Sequence, residues 1–191
     1  RAPPDAMSLL SFDLFCRVVD NYGDAGVCWR LARRLAALGQ SVRLWIDRPE
    51  VLARLLPALD AQADEQVLDG VRIGPWSHAE HAAPPRGGVV VEAFACALPP
   101  AYEAAMAGRD CLWINLEYLS AESWVEGCHG LPSPQANGVP KFFFFPGFTP
   151  ATGGLLREPD LLARRDAEQA RDRGPRLWAL TGLAAAPPAD A

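Results

Sequence analysis

The stretch SFDLFCRVVDNYGDAGVCWRLARRLAALG, residues 11–39, decides the fold. Residues 11–19 are rich enough in aromatic and β-branched side chains to read as a strand, interrupted only by Asp13 and Arg17. From residue 25 to residue 38 the apolar positions recur at three and four, which predicts an amphipathic helix, and Gly39 closes it. Between the two lies an acidic loop with glycines. Strand, short loop and helix in that order form the opening unit of a βαβ fold.

The same alternation continues along the chain. Residues 42–46 (VRLWI) repeat the strand signal and residues 49–59 the helix signal. A polar stretch leads to a short strand at 71–73, and Gly87-Gly88 introduces the buried run VVVEAF at 89–94. Residues 99–107 begin with paired prolines and read as a helix, since a proline in the first turn gives up an N–H that has no partner there anyway. CLWINL at 111–116 is the next strand. A short helix is expected over 121–126 behind Ser120 as N-cap, with Ser123 at the third helical position in place of the glutamate of a full capping box.

KFFFFPGFTPATGG, residues 141–154, supplies a last strand over 142–145, expected to be buried on both faces, and then a loop. Gly147, Gly153 and Gly154 in that loop admit a close approach by a ligand or a neighbouring strand. With strands and helices alternating and no neighbouring pair read as a hairpin, the fold class expected is α/β, a Rossmann-like parallel sheet with helices on both faces. The domain boundaries expected are a loose Pro/Ala-rich leader at 1–10, in which Met7 is a candidate native start, a Rossmann-like domain at 11–157, and a charged helix with a proline-rich linker at 158–191.

Composition narrows the function. The charged fraction of 21% and hydrophobic fraction of 50% are those of an ordinary globular protein. A net charge of −5, with 18 Lys and Arg that form no run, argues against nucleic acid as a partner. No segment reaches the roughly 18 apolar residues of a membrane span, and no secretory signal is evident. The five cysteines, at 16, 28, 96, 111 and 128, are odd in number and mostly set in apolar segments, which points to reduced thiols and a cytoplasmic location. Cys128-His129 has no CxxC partner, and His78 and His81 in SHAEH only weakly suggest a pair, so no metal site is expected.

In open parallel sheets, ligands bind beyond the carboxyl ends of the strands, which singles out the loops 20–26, 95–99, 117–121 and 146–154. The first does not spell GxGxxG, because Gly23 and Gly26 are only three apart, and two carboxylates would repel a pyrophosphate. A nicotinamide-dependent oxidoreductase therefore ranks last. Two carboxylates suit a cationic or proton-losing ligand instead. Asp20 reads either as a base or orienting group or as an Asx-turn, and Asp24 either as its partner or as a helix N-cap. Glu117 and Tyr118 follow a buried strand and are candidate substrate contacts or simply solvated, while His129 reads first as a structural hydrogen-bonding group.

Four stretches, DLFCRVVDNYGDAGVCWRLARRLA, VRLWID, WINLEYLSAESWVEGCHGLPSPQ and KFFFFPGFTPATGGLLRE, together resemble the amino-terminal half of the EarP family, bacterial protein-arginine rhamnosyltransferases that modify elongation factor P. They run in order over most of residues 11–158. The resemblance implies the amino-terminal domain of a GT-B glycosyltransferase, in which this half receives the protein acceptor and a second, donor-side half holds most of the TDP-rhamnose. It implies inversion at the sugar, no resident cofactor and no metal.

By the same resemblance the family's two essential aspartates correspond to Asp20, read as the base, and Asp24, its partner that steers the guanidinium or supports the rhamnose side. Asn21, Tyr22 and Gly23 of the same loop, with Glu117 and Tyr118, are expected as substrate contacts from their place at the sheet's carboxyl edge. A further essential glutamate belongs to the donor-side half. The expectation is thus an acceptor domain that is inactive by itself, and the rival reading is a non-catalytic Rossmann-like module that docks a protein.

Overall fold

The computed structural model describes residues 9–171. Most of the leader expected at 1–10, including Met7, and the proline-rich end from residue 172 lie outside the described residues. One compact unit runs to Leu156 and a second begins at Arg157.

The first unit opens with β1 (Ser11–Cys16), α1 (Gly23–Ala37), β2 (Ser41–Ile46) and α2 (Pro49–Leu55). It continues through β3 (Gln66–Leu68), β4 (Val71–Pro75), α3 (Trp76–Ala79), β5 (Gly88–Ala93), α4 (Pro100–Ala105), β6 (Cys111–Leu116), α5 (Trp124–Cys128), β7 (Pro132–Ser133) and β8 (Lys141–Phe144). The eight strands form one sheet in the order β3-β4-β2-β1-β5-β6-β8-β7. Six of them, from β4 to β8 across the middle, are mutually parallel, so their carboxyl ends share one edge.

Side chains alternate across this sheet as a period of two requires. Leu14, Cys16, Val42, Leu44, Val89 and Val91 face α1 and α2. Phe15, Trp45, Val90 and Trp113 face α3 and α4, where Tyr102 and Met106 meet them. The α/β fold with helices on both faces is therefore as read from the sequence.

The edges differ from the expectation, for both carry antiparallel pairs. β3 and β4 form a hairpin through Asp69-Gly70, with φ of 48° and 78°. A two-residue Asp-Gly link with both residues left-handed is the turn that matches strand twist. At the other edge the two-residue β7 pairs antiparallel with β8. The phenylalanine strand, one strand from the sheet's margin, is half-buried along Lys141–Phe144, not buried on both faces.

Other boundaries shift for local reasons. β1 ends at Cys16, three residues earlier than expected, because Asp47 Oδ1 captures the Val18 N–H at 2.8 Å. The second helix stops at Leu55, since Pro57 disfavours helical backbone at the residue before it. Ser120 does not cap a helix: α5 starts at Trp124 behind Ser123, with no side-chain cap bond, and Ser120 Oγ accepts the Glu122 N–H instead.

The close approaches at the last loop are internal to the chain. A Cβ on Gly147 would meet the Thr152 side chain at 2.6 Å, and one on Gly153 the Phe144 ring at 2.3 Å. In the second unit α6 (Leu161–Gln169) has no buried residue. Its Arg164 pairs at 3.1 Å with Asp160, the N-cap residue four positions earlier. Among the described residues no helix is long and apolar enough to cross a membrane.

Candidate functional site

The chain runs from β1 outward to β2 and β4, then returns to β5 on the opposite side of β1. That reversal makes the carboxyl ends of β1 and β5 the position at which open α/β sheets receive ligands. The loops after β1, β5, β6 and β8 all reach this edge.

Asp24 is the second residue of α1 and is 1% exposed. The helix N-cap is Tyr22, which makes no side-chain cap bond, so Asp24 is not the N-cap that its position suggested. Instead its carboxylate turns back: Oδ2 accepts the N–H groups of Val19 at 2.9 Å and Asp20 at 2.8 Å. Oδ1 accepts the Tyr118 hydroxyl at 2.9 Å. A carboxylate at the first turn of a helix is also favoured by the helix dipole. Asp24 thus closes the loop on itself and ties it to the end of β6.

Asp20 is the complement. Its side chain is exposed, and its carboxylate accepts no hydrogen bond from the described residues. Its Oδ2 lies 2.6 Å from where a Cβ on Gly23 would stand, so only glycine leaves room for it there. The Gly23 N–H also donates to the Asp20 carbonyl at 3.0 Å. Asn21 is exposed beside it, and Tyr22 accepts a hydrogen bond from Arg54 at 3.3 Å.

Tyr118 is 52% exposed and stacks on Phe94 of the β5 loop, with ring centroids 4.1 Å apart and planes 10° from parallel. Burial of the hydroxyl, its bond to Asp24 and the nearby Asp24 and Asp20 charges push it up to about 12, so it remains a protonated donor at neutral pH. Glu117 is half-buried and accepts from Asn115 Nδ2 through one oxygen. The site therefore gathers Asp20, Asp24 and Tyr118, with Glu117 next in the chain on the same edge, two carboxylates of which retain open acceptor positions. Such an edge suits a ligand that is cationic and rich in N–H donors.

His129 takes the structural role read for it, its Nδ1 accepting the Phe145 N–H at 3.1 Å. Among the described residues no three His, Cys, Asp or Glu side chains gather as metal ligands would. All five cysteines are free thiols, with Cys16, Cys28 and Cys96 buried. An apolar cavity of about 310 Å³, walled by α1, β5, β6 and residues 153–156, contains none of the carboxylates.

Several residues that hold the site were not singled out from the sequence. Phe94, Glu92, Asn115 and Asp47 all act on the loops just described. The available signal was a charged or polar residue inside an otherwise apolar strand, as in VVVEAF and CLWINL.

A family profile described as "Elongation-Factor P (EF-P) rhamnosyltransferase EarP" matches residues 12–191. A protein-arginine rhamnosyltransferase of Pseudomonas putida is 58% identical over 162 residues, covering 83% of this chain and 43% of that protein. The Pseudomonas aeruginosa protein of the same name is 56% identical over 165 residues, 85% of this chain and 44% of its own. That of Shewanella oneidensis is 47% identical over 166 residues, 83% and 42% respectively. The chain spans less than half the length of these relatives.

Proposed function

The chain belongs to the EarP family, and from that premise we propose that it is the acceptor-side domain of a GT-B protein-arginine rhamnosyltransferase, which transfers rhamnose from TDP-rhamnose to an arginine of elongation factor P in the cytoplasm. The activity named for its relatives is protein-arginine rhamnosylation. The observation that carries the reading onto these residues is the exposed Asp20 carboxylate, which accepts no hydrogen bond from the described residues and is held on a loop that Asp24 pins.

A guanidinium is protonated at any physiological pH and its nitrogen lone pairs are delocalised, so it is a poor nucleophile. Asp20 accepts the proton of one Nη while that nitrogen attacks the anomeric carbon of rhamnose from the face opposite the leaving group. The C–N bond forms as the C–O bond to TDP breaks, the configuration inverts, and the electron pair leaves on the diphosphate. One base suffices for such a displacement. Asp24 keeps the Asp20 backbone and Tyr118 in place, while Asn21, Tyr22, Gly23 and Glu117 contact the acceptor. The donor and its developing charge are bound mostly by a donor-side domain.

The test uses a protein of the relatives' full length that carries this sequence, assayed by mass shift of elongation factor P. Asp20→Asn is expected to abolish transfer with the fold unchanged. Near-normal turnover in that variant, with loss in Asp24→Asn, would move the base to Asp24. The 191 residues alone are expected to transfer nothing, and rhamnosylation by them would refute the division of labour. Binding of labelled elongation factor P to the 191 residues tests acceptor docking separately.

A further inference from the structure

The loop after β5 has a backbone that residues with side chains rarely adopt. Phe94, Ala95 and Ala97 have φ of 57°, 51° and 56°. In that left-handed region the Cβ crowds the following carbonyl, and turns ordinarily recruit glycine. None of the three is glycine. Such a backbone persists only where its surroundings impose it, and it concentrates at functional sites.

Two buried side chains impose it here. Asn115 Oδ1 accepts the Ala95 N–H and Glu92 Oε1 the Ala97 N–H, each at 3.0 Å. Glu92 and Asn115 face one another in the β5–β6 register and are 2% and 1% exposed. The second oxygen of Glu92 lies 3.0 Å from Lys141 Nζ of β8, and that ammonium sits 4.9 Å from the Trp113 ring. A buried carboxylate is tolerated because it is both ion-paired and hydrogen-bonded.

The bend fixes where Phe94 points. Its ring backs Tyr118, whose hydroxyl reaches Asp24, whose other oxygen holds the Asp20 N–H. We propose that Glu92 is a positioning residue for this edge: with Lys141 it holds the bend in which Phe94, Ala95 and Ala97 are left-handed, so that Phe94 braces Tyr118 against Asp24 and the β1 loop keeps its shape. Its consequence for catalysis rests on the transferase reading above, whereas the geometric consequence does not.

Glu92→Gln preserves shape and so tests the idea without removing packing. One amide oxygen cannot serve both donors, and Lys141 is the stronger claimant, so the Ala97 N–H is left facing an amide NH₂. In the 191-residue chain, the ring-current shift that Phe94 imposes on the Tyr118 ring protons is expected to collapse, with the melting transition still cooperative. In the full-length protein, kcat is expected to fall about 10- to 100-fold with little change in the acceptor KM. Adding Ala97→Gly, which adopts the same φ without being held, is expected to restore both the ring shift and most of kcat.

A folded Glu92→Gln chain with an unchanged Tyr118 ring shift would overturn the proposal. So would a double variant in which glycine restores neither quantity, since a purely stabilising role for Glu92 would not be answered by backbone freedom at residue 97. If the unsubstituted full-length protein transfers no rhamnose, the transferase reading fails and the ring shift still decides this one.

Discussion

Tyr118 and Asp24, 94 residues apart in sequence, meet through a single 2.9 Å hydrogen bond from the phenol to Asp24 Oδ1. It joins the loop after β6 to the first turn of α1 across the reversal in strand order, and it makes the acidic loop and the aromatic stack one unit. The carboxylate supplies three acceptor contacts and all of them go to this chain. Asp20 is thereby left as the loop's outward-facing carboxylate.

Because the hydroxyl is pushed up to about 12, above the ~10 of an unfolded tyrosine, the folded chain binds this proton more tightly than the unfolded one. The contribution to stability is fully present below pH ~10 and is lost as pH rises from there towards ~12. Tyr118→Phe lacks it at every pH. Denaturant midpoints of the two proteins should thus be separated by a constant amount up to about pH 10 and converge above it, by a modest margin because the ring is half exposed. Parallel curves throughout would mean that the phenol is not held by Asp24.

Asp24→Asn removes the charge and one acceptor oxygen, and it keeps the Val19 and Asp20 N–H bonds only if the Tyr118 hydroxyl gives up its donation and turns to accept from the new NH₂. Hydrogen bonds to a charged group, once broken in a buried position, cost about 1 to 3 kcal/mol. Equilibrium unfolding of Asp24→Asn should show a loss in that range, whereas Asp20→Asn, at an exposed side chain with no hydrogen-bond partner among the described residues, should leave the unfolding curve in place. Equal losses for the two variants would contradict the division between a pinning and an outward-facing aspartate.

Gly23→Ala tests the room left for Asp20. The added methyl would stand 2.6 Å from Asp20 Oδ2, and the exposed carboxylate can swing away, so the fold should tolerate it. A shift of about 1 Å in a reacting group can reduce turnover by roughly 100-fold. Transfer by the full-length protein should fall by about that order while the melting temperature is retained. Undiminished turnover would show that the carboxylate can work from another rotamer.

The fold was legible because burial on both faces of a parallel sheet leaves a plain signature, as VRLWI and VVVEAF illustrate. The acidic loop was legible for a topological reason, since a strand followed by a helix places its connecting residues at the ligand-binding edge. What could not be read was which carboxylate faces inward. Asp24 bonds backwards to Val19 and Asp20 and sideways to Tyr118, and the third partner is set by how β6 lies in the sheet. The β3–β4 hairpin was missed although Asp69-Gly70 announces it, whereas the partial exposure of the phenylalanine strand goes with its place one strand from the sheet's margin, which no periodicity reveals.

Asp13 is the clearest case of a strand residue whose partners only the fold supplies. It is 1% exposed, accepts two hydrogen bonds from Arg43, its β2 partner in register, and a third from the Tyr102 hydroxyl of α4. Burial and the Asp13 charge push that hydroxyl far above its usual range, so it is a donor at all working pH. Asp13→Ala strands a buried hydroxyl and a guanidinium whose side chain is 28% exposed. Breaking a buried pair costs about 3 to 5 kcal/mol, and the low end applies because Arg43 keeps some solvent and the Ala83 carbonyl at 2.8 Å. Tyr102→Phe, which keeps the ring against Phe15, should cost about 1 kcal/mol. In a double-mutant cycle by denaturant unfolding, the combined variant should lose clearly less than the sum, because the hydroxyl removed by the second substitution is the one orphaned by the first. Additive losses would mean that Tyr102 and Asp13 stabilise the sheet independently.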